Sequence, residues 1–140
     1  MITQFRGEYS WLSNFAPADT LLDGVIYPSV EHAFQSAKSV DLEWKKFCYH
    51  TESAGVVKKA SRRVQLVDNW NSRRLEVMMD CLVQKFTHEG YQYRKLLIET
   101  GTQEIQEGNL WGDKFWGICL KTGEGKNALG KMIMLIRNNL

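Results

Sequence analysis

The chain has 140 residues, 44% of them hydrophobic and 24% charged, with a formal net charge of +2. It is long enough to bury a core, its composition excludes wholesale disorder, and its net charge demands no polyanionic partner. Three cysteines without a CxxC pair, and apolar runs far too short for a bilayer, predict a reduced, cytoplasmic setting and no membrane contact.

The opening residues show no basic segment followed by an apolar run, so no secretory signal is visible. No repeat, low-complexity tract or linker follows, and residues 1–140 read as one domain. Up to about residue 28 the chain reads as loop and short strands. Asp23-Gly24 lies between Leu21-Leu22 and Val25-Ile26-Tyr27, a strong hairpin signal. Pro28 is expected to stop the second strand, and Ser29 to cap a helix over VEHAFQSAK. In that helix Val30, Ala33, Phe34 and Ala37 form an apolar stripe, while Glu31, Gln35 and Lys38 form a separate polar line.

Asp41 and Ser53 are expected to cap two further helices. The longest helical pattern joins Leu75, Met78, Met79, Leu82, Val83 and Phe86, with Asn69 or Asn71 as its cap. Another helix is predicted from about Tyr91 to Thr100, ending at Gly101. The last carries Leu129, Met132, Ile133, Ile136 and Leu140 behind Asn127 as cap. A Gly/Trp-rich stretch between these two helices holds a short strand, Phe115 to Leu120. The predicted fold class is mainly α, about six helices in one compact domain, with minor short β-strands and a hairpin.

Metal binding finds little support. His32, His50 and His88 form no i, i+3 or i+4 pair, and there is no HExxH. No G-x-S-x-G elbow and no P-loop spacing occur, so no nucleophile or nucleotide motif stands out. Gly123-Glu124-Gly125-Lys126-Asn127 can be read as a plain turn and cap, or as backbone donors gathered for an anion at the start of the last helix. Lys58, Lys59, Arg62, Arg63, Arg73 and Arg74, against Asp68 alone, read either as a solvated face or as a phosphate-seeking patch.

Carboxylates remain. Glu31 near a helix start is equally a simple helix-start acid or part of a polar site. Asp113 lies among glycines and tryptophans in Trp111-Gly112-Asp113-Lys114-Phe115-Trp116-Gly117, and Glu107 lies just before it. Carboxylates with aromatic walls suit glycosidic hydrolysis, in which an anion stabilises an oxocarbenium-like transition state.

Four blocks occur in order: Leu12-Ser13-Asn14-Phe15; Tyr27-Pro28-Ser29-Val30-Glu31-His32-Ala33-Phe34-Gln35-Ser36-Ala37-Lys38; Trp70 with Met78 and Lys85-Phe86; then Glu107, Asp113 to Gly117, Gly125 to Lys131 and Met134 to Arg137. Together they resemble the NADAR domain, or YbiA-like, family over nearly the whole chain. The resemblance implies a mainly helical fold and N-glycosidase activity with no cofactor and no metal. It implies Glu31, Trp70 and Asp113 as catalytic residues. Asn14, Gln35, Lys38, Glu107, Trp116, Gly117 and Asn127 match substrate-binding positions. The implied partner is a small ribosyl-phosphate substrate of the riboflavin pathway, or ADP-ribose on guanine in nucleic acid. A trimmed segment before Trp70 and the Trp111-Gly112 pair depart from the pattern and leave the substrate open. The alternative is a non-catalytic module that binds ADP-ribose or another nucleotide.

Overall fold

The computed structural model describes residues 1–140 and shows a mainly α chain with minor β structure. The chain packs as two units. One comprises Met1–Ser13 and Phe86–Leu140, the other Asn14–Lys85. No helix is long and apolar enough to cross a membrane.

The Asn14–Lys85 unit begins with an antiparallel hairpin of β1 (Pro17–Leu22) and β2 (Val25–Ser29). Asp23 at φ 48° and Gly24 at φ 80° make its turn, the two left-handed positions that a tight hairpin requires. Inward positions of β1 alternate as Ala18, Thr20 and Leu22. Contrary to expectation, Pro28 does not stop the strand, since β2 runs on to Ser29. The register slips between Pro17 and Thr20 opposite it, and a residue without an N–H is tolerated at such an irregularity.

Ser29 then caps α1 (Val30–Ser36), its hydroxyl accepting from the His32 N–H at 3.1 Å. The helix stops two residues short of the predicted Lys38. Asp41 caps α2 (Leu42–His50) through the Glu43 N–H at 3.0 Å, and Ser53 caps α3 (Ala54–Ala60) through the Val56 N–H at 3.3 Å. A 3-10 turn, Ser61–Arg63, follows. The longest helix, α4 (Trp70–Thr87), starts immediately after Asn69, so Asn69 rather than Asn71 stands at the capping position. Apart from its last two residues, α4 belongs to this unit and buries Trp70, Val77, Met78, Cys81 and Leu82.

In the other unit, α5 (Tyr93–Glu99) is shorter than predicted at its start and is followed by Gly101 as expected. Ile2 forms a parallel bridge to Ile105. The predicted strand Phe115–Leu120 shrinks to β4 (Ile118–Cys119), which pairs in parallel with β3 (Gly108–Asn109). It is short because the carbonyls of Phe115, Trp116 and Gly117 turn instead toward the start of α6 (Ala128–Asn138). The apolar face of α6 buries Leu129, Ile133 and Ile136.

Candidate active site

The polar line of α1 lies inside the protein. Glu31 is 6% exposed and Gln35 3%, so the helix is buried all round rather than on one stripe. Burial pushes the Glu31 carboxyl above its ordinary value of 4.5, and the Gln35 hydrogen bond, Lys58, Lys38 and His32 oppose that rise. This corrects the expectation of a helix-start acid simply favoured as an anion.

Gln35 Nε2 donates to Glu31 Oε1 at 2.7 Å. The carboxylate can only accept, so the Gln35 amide is oriented and its Oε1 is turned away. That oxygen is buried and has no hydrogen-bond partner. Asn14 joins the same turn, its carbonyl accepting from the Glu31 N–H at 3.1 Å. Its side-chain Nδ2 meets only the Met78 sulfur at 3.5 Å, and its Oδ1 is also buried without a partner. A buried acceptor left unpaired costs about 1–3 kcal/mol, so two of them on residues bonded to Glu31 are unusual outside a ligand site.

Lys38 supplies the cation. Its Nζ donates to Ser61 Oγ at 3.3 Å and lies 5.9 Å from the centre of the Phe34 ring. Burial lowers its pKa below 10.5, while Glu31 works to raise it. Phe34 in turn packs against Trp70 at 5.3 Å between ring centres. Trp70 is therefore a buried wall of this cluster, 8% exposed.

His32 is structural. The Thr51 carbonyl, 2.8 Å from Nε2, can only accept, so Nε2 carries the proton. Nδ1 then accepts from the Ser29 hydroxyl at 2.6 Å. No three His, Cys, Asp or Glu side chains are grouped so as to hold a metal ion.

The other set of predicted residues builds a loop. Asp113 Oδ1 accepts from the N–H groups of Phe115 at 3.0 Å and Trp116 at 2.9 Å, a side-chain-closed turn. Asn109, 1% exposed, organises it from below: Nδ2 donates to Glu107 Oε2 at 3.1 Å and to the Asp113 carbonyl at 2.9 Å, while Oδ1 accepts from the Asp113 N–H at 2.9 Å. Trp116 and Gly117 place their carbonyls on the N–H groups of Leu129 and Asn127.

Asn127 does not cap α6. It adopts φ 52°, and its side chain accepts from the Glu107 N–H at 3.0 Å and donates to the Ile105 carbonyl at 2.9 Å. The anion-site reading of this helix start also falls. The N–H groups of Lys126, Asn127, Ala128 and Leu129 are taken by the carbonyls of Lys114, Gly117, Phe115 and Trp116.

Asn14, Glu31, Gln35, Lys38 and Trp70 thus belong to one unit, and Glu107, Asp113, Trp116, Gly117 and Asn127 to the other. Sequence reading missed Lys58 as a charge acting on Glu31, Ser61 as the partner of Lys38, and Asn109. Lys58 and Ser61 carry no motif of their own. Asn109 sits four residues before Asp113 outside any periodic pattern. The basic stretch from Lys58 to Arg74 is not one face: Lys58 acts on Glu31, Arg73 pairs with Asp23 at 3.8 Å, and Lys59, Arg62 and Arg63 are exposed.

A model of the NADAR domain matches residues 3–140. N-glycosidase YbiA of Escherichia coli (strain K12) is 32% identical over 135 residues, covering 95% of this chain and 82% of that relative. Riboflavin biosynthesis protein VVA0006 of Vibrio vulnificus is 31% identical over 134 residues, 94% of this chain, which spans only 36% of that relative's length. The NMR structure of the E. coli protein YbiA aligns with a TM-score of 0.83 at 30% identity, covering 99% of this chain and 86% of the other. The chain belongs to the NADAR domain family.

Proposed function

We propose that this protein is an N-glycosidase that hydrolyses the bond between a phosphorylated ribose and a flat base or amine, with no metal or cofactor taking part. The observation that carries the reading is the buried Glu31 carboxylate, held by Gln35, with the Lys38 cation, just past the far end of α1, acting on it. The N-glycosidase name of the YbiA relative supports it, and the riboflavin biosynthesis name of VVA0006 favours a small pathway intermediate as substrate.

In this reading Glu31 lies at the ribosyl C1′. The C1′–N bond breaks with its electron pair leaving on nitrogen. Glu31 stabilises the developing positive charge and accepts a proton from water as the water oxygen bonds to C1′. The proton then passes to the departing nitrogen, giving the free sugar phosphate and the amine. Lys38 is proposed to hold phosphate and Trp70 to shape the wall for the base. Asp113, proposed from family resemblance as a second acid, builds its own loop through Oδ1. The other residues matched to binding positions, Glu107, Trp116, Gly117 and Asn127, are proposed to serve substrate binding through that loop.

A second substrate, ADP-ribose on guanine in nucleic acid, is favoured by one observation, the exposed Lys59, Arg62 and Arg63. Cleavage that used this patch would weaken steeply with added salt.

The test incubates the protein with riboflavin-pathway intermediates and with ADP-ribosylated guanine DNA, and follows sugar release by mass spectrometry. A folded Glu31→Gln variant is expected to lose at least ~100-fold in turnover. Wild-type turnover in that variant would remove Glu31 from the mechanism. Tight ADP-ribose binding without cleavage of any candidate would make the protein a binding module instead.

A further inference from the structure

Gln35 Oε1 and Asn14 Oδ1 are two buried acceptors with no partner, both tied to the Glu31 turn. The Gln35 oxygen is oriented by the carboxylate that holds its Nε2 at 2.7 Å, so it cannot be exchanged for a donor without breaking that bond. Together with the carboxylate they form a set of side-chain oxygens that asks for O–H or N–H groups from whatever binds. A phosphate, which only accepts when ionised, is the wrong partner for them and suits Lys38 instead.

We infer that Asn14 and Gln35 form an accepting cradle for the vicinal hydroxyls of the ribosyl ring, and that they select ribose over 2-deoxyribose. The inference rests on the N-glycosidase reading above. It follows from where Glu31 must act: a carboxylate working at C1′ has the hydroxyl on C2′ as its nearest donor, and C3′ carries the next. The Gln35 oxygen, on the amide that Glu31 holds, is therefore placed along the sugar rather than along the base, with Asn14 tied to the same turn through its main chain. Hydrogen bonds to the 2-hydroxyl also strengthen as positive charge develops on the ring, so the same contacts would serve turnover.

The probes are ribose 5-phosphate and 2-deoxyribose 5-phosphate, titrated calorimetrically into wild type, Gln35→Met and Asn14→Leu. Wild type is expected to bind the ribose compound at least ~10-fold tighter, one hydrogen bond's worth of discrimination. Each variant is expected to lose about that factor for ribose 5-phosphate; the one that meets the 2-hydroxyl loses almost none for the deoxy compound, and the one that meets the 3-hydroxyl loses it for both sugars. Equal affinity of wild type for the two sugars overturns the cradle, and this arm needs no variant to fold. Variants that lose affinity for the free amine product but not for the sugar would place the cradle on the base and also overturn it. If wild type ignores the 2-hydroxyl yet cleaves an N-glycoside in the mass-spectrometric assay, the cradle falls and the enzyme reading stands. If neither sugar binds and nothing is cleaved, both fall.

Discussion

A β-carbon on Gly117 would collide with the Glu107 carboxylate and main-chain carbonyl, and would lie 2.8 Å from Asn109 Nδ2. Two of those neighbours are anchored, the carbonyl by the Ile118 N–H and the amide by Asp113. Gly117→Ala is therefore expected to cost about 1–3 kcal/mol through overpacking, seen as a lower midpoint in denaturant. An unchanged midpoint would mean that the loop relaxes freely. The close backbone approach that Gly117 permits is to Glu107. Glu31 shows a limit to what single residues disclose. Its spacing with Gln35 and Lys38 was legible, but a polar line on a helix normally marks the solvent face. Its burial depends on what surrounds α1 on all sides, which no local pattern records.

Helix starts divide by how local their hydrogen bonds are. Ser29, Asp41 and Ser53 each accept from an N–H two or three residues ahead, so the motif is complete within a few positions and can be read from the sequence. Ser53→Ala should lower stability by about 1 kcal/mol, as loss of an N-cap acceptor usually does, with a matching drop in thermal midpoint. If the midpoint holds, α3 is fixed by the packing of Ala54 and Val57 alone. Asn127 shows the opposite case. It occupies a capping position before α6, yet its side chain reaches back 20 residues to Glu107 and 22 to Ile105, and the helix N–H groups are met by carbonyls of 115 and 116. Those partners lie in a segment without periodicity, so neither they nor the two-residue pairing of β3 with β4 could be inferred from spacing.

Across the molecule, buried ionisable groups set how stability varies with pH. Glu31 keeps its proton in the folded chain above 4.5, where the unfolded chain releases it, so stability falls as pH climbs from there through its raised value. Lys85, 1% exposed in α4, is lowered by burial to about 7. From about 7 to 10.5 the folded chain has lost a proton that the unfolded chain retains, so stability rises over that span. Lys38, also lowered by burial, adds to the same rise. The expected profile has a trough between the fall set by Glu31 and the rise set by Lys85. Denaturant unfolding across pH should show Glu31→Gln flattening the acid limb and Lys85→Met the alkaline limb; limbs that survive both substitutions would assign the trough to other groups. The mainly α class and the order of elements were legible as a whole, because periodicity and caps repeat along the chain. The amide network of residues 107–129 was not, and it carries a consequence for how the protein ages. Slow hydrolysis of Asn109 or Asn127 to an acid would replace a donating nitrogen with an oxygen that faces carbonyl groups, at Asp113 and Ile105 respectively. In a stored sample such deamidation would not be a silent lesion, since it sets like partial charges against each other in a loop that those two nitrogens help hold closed.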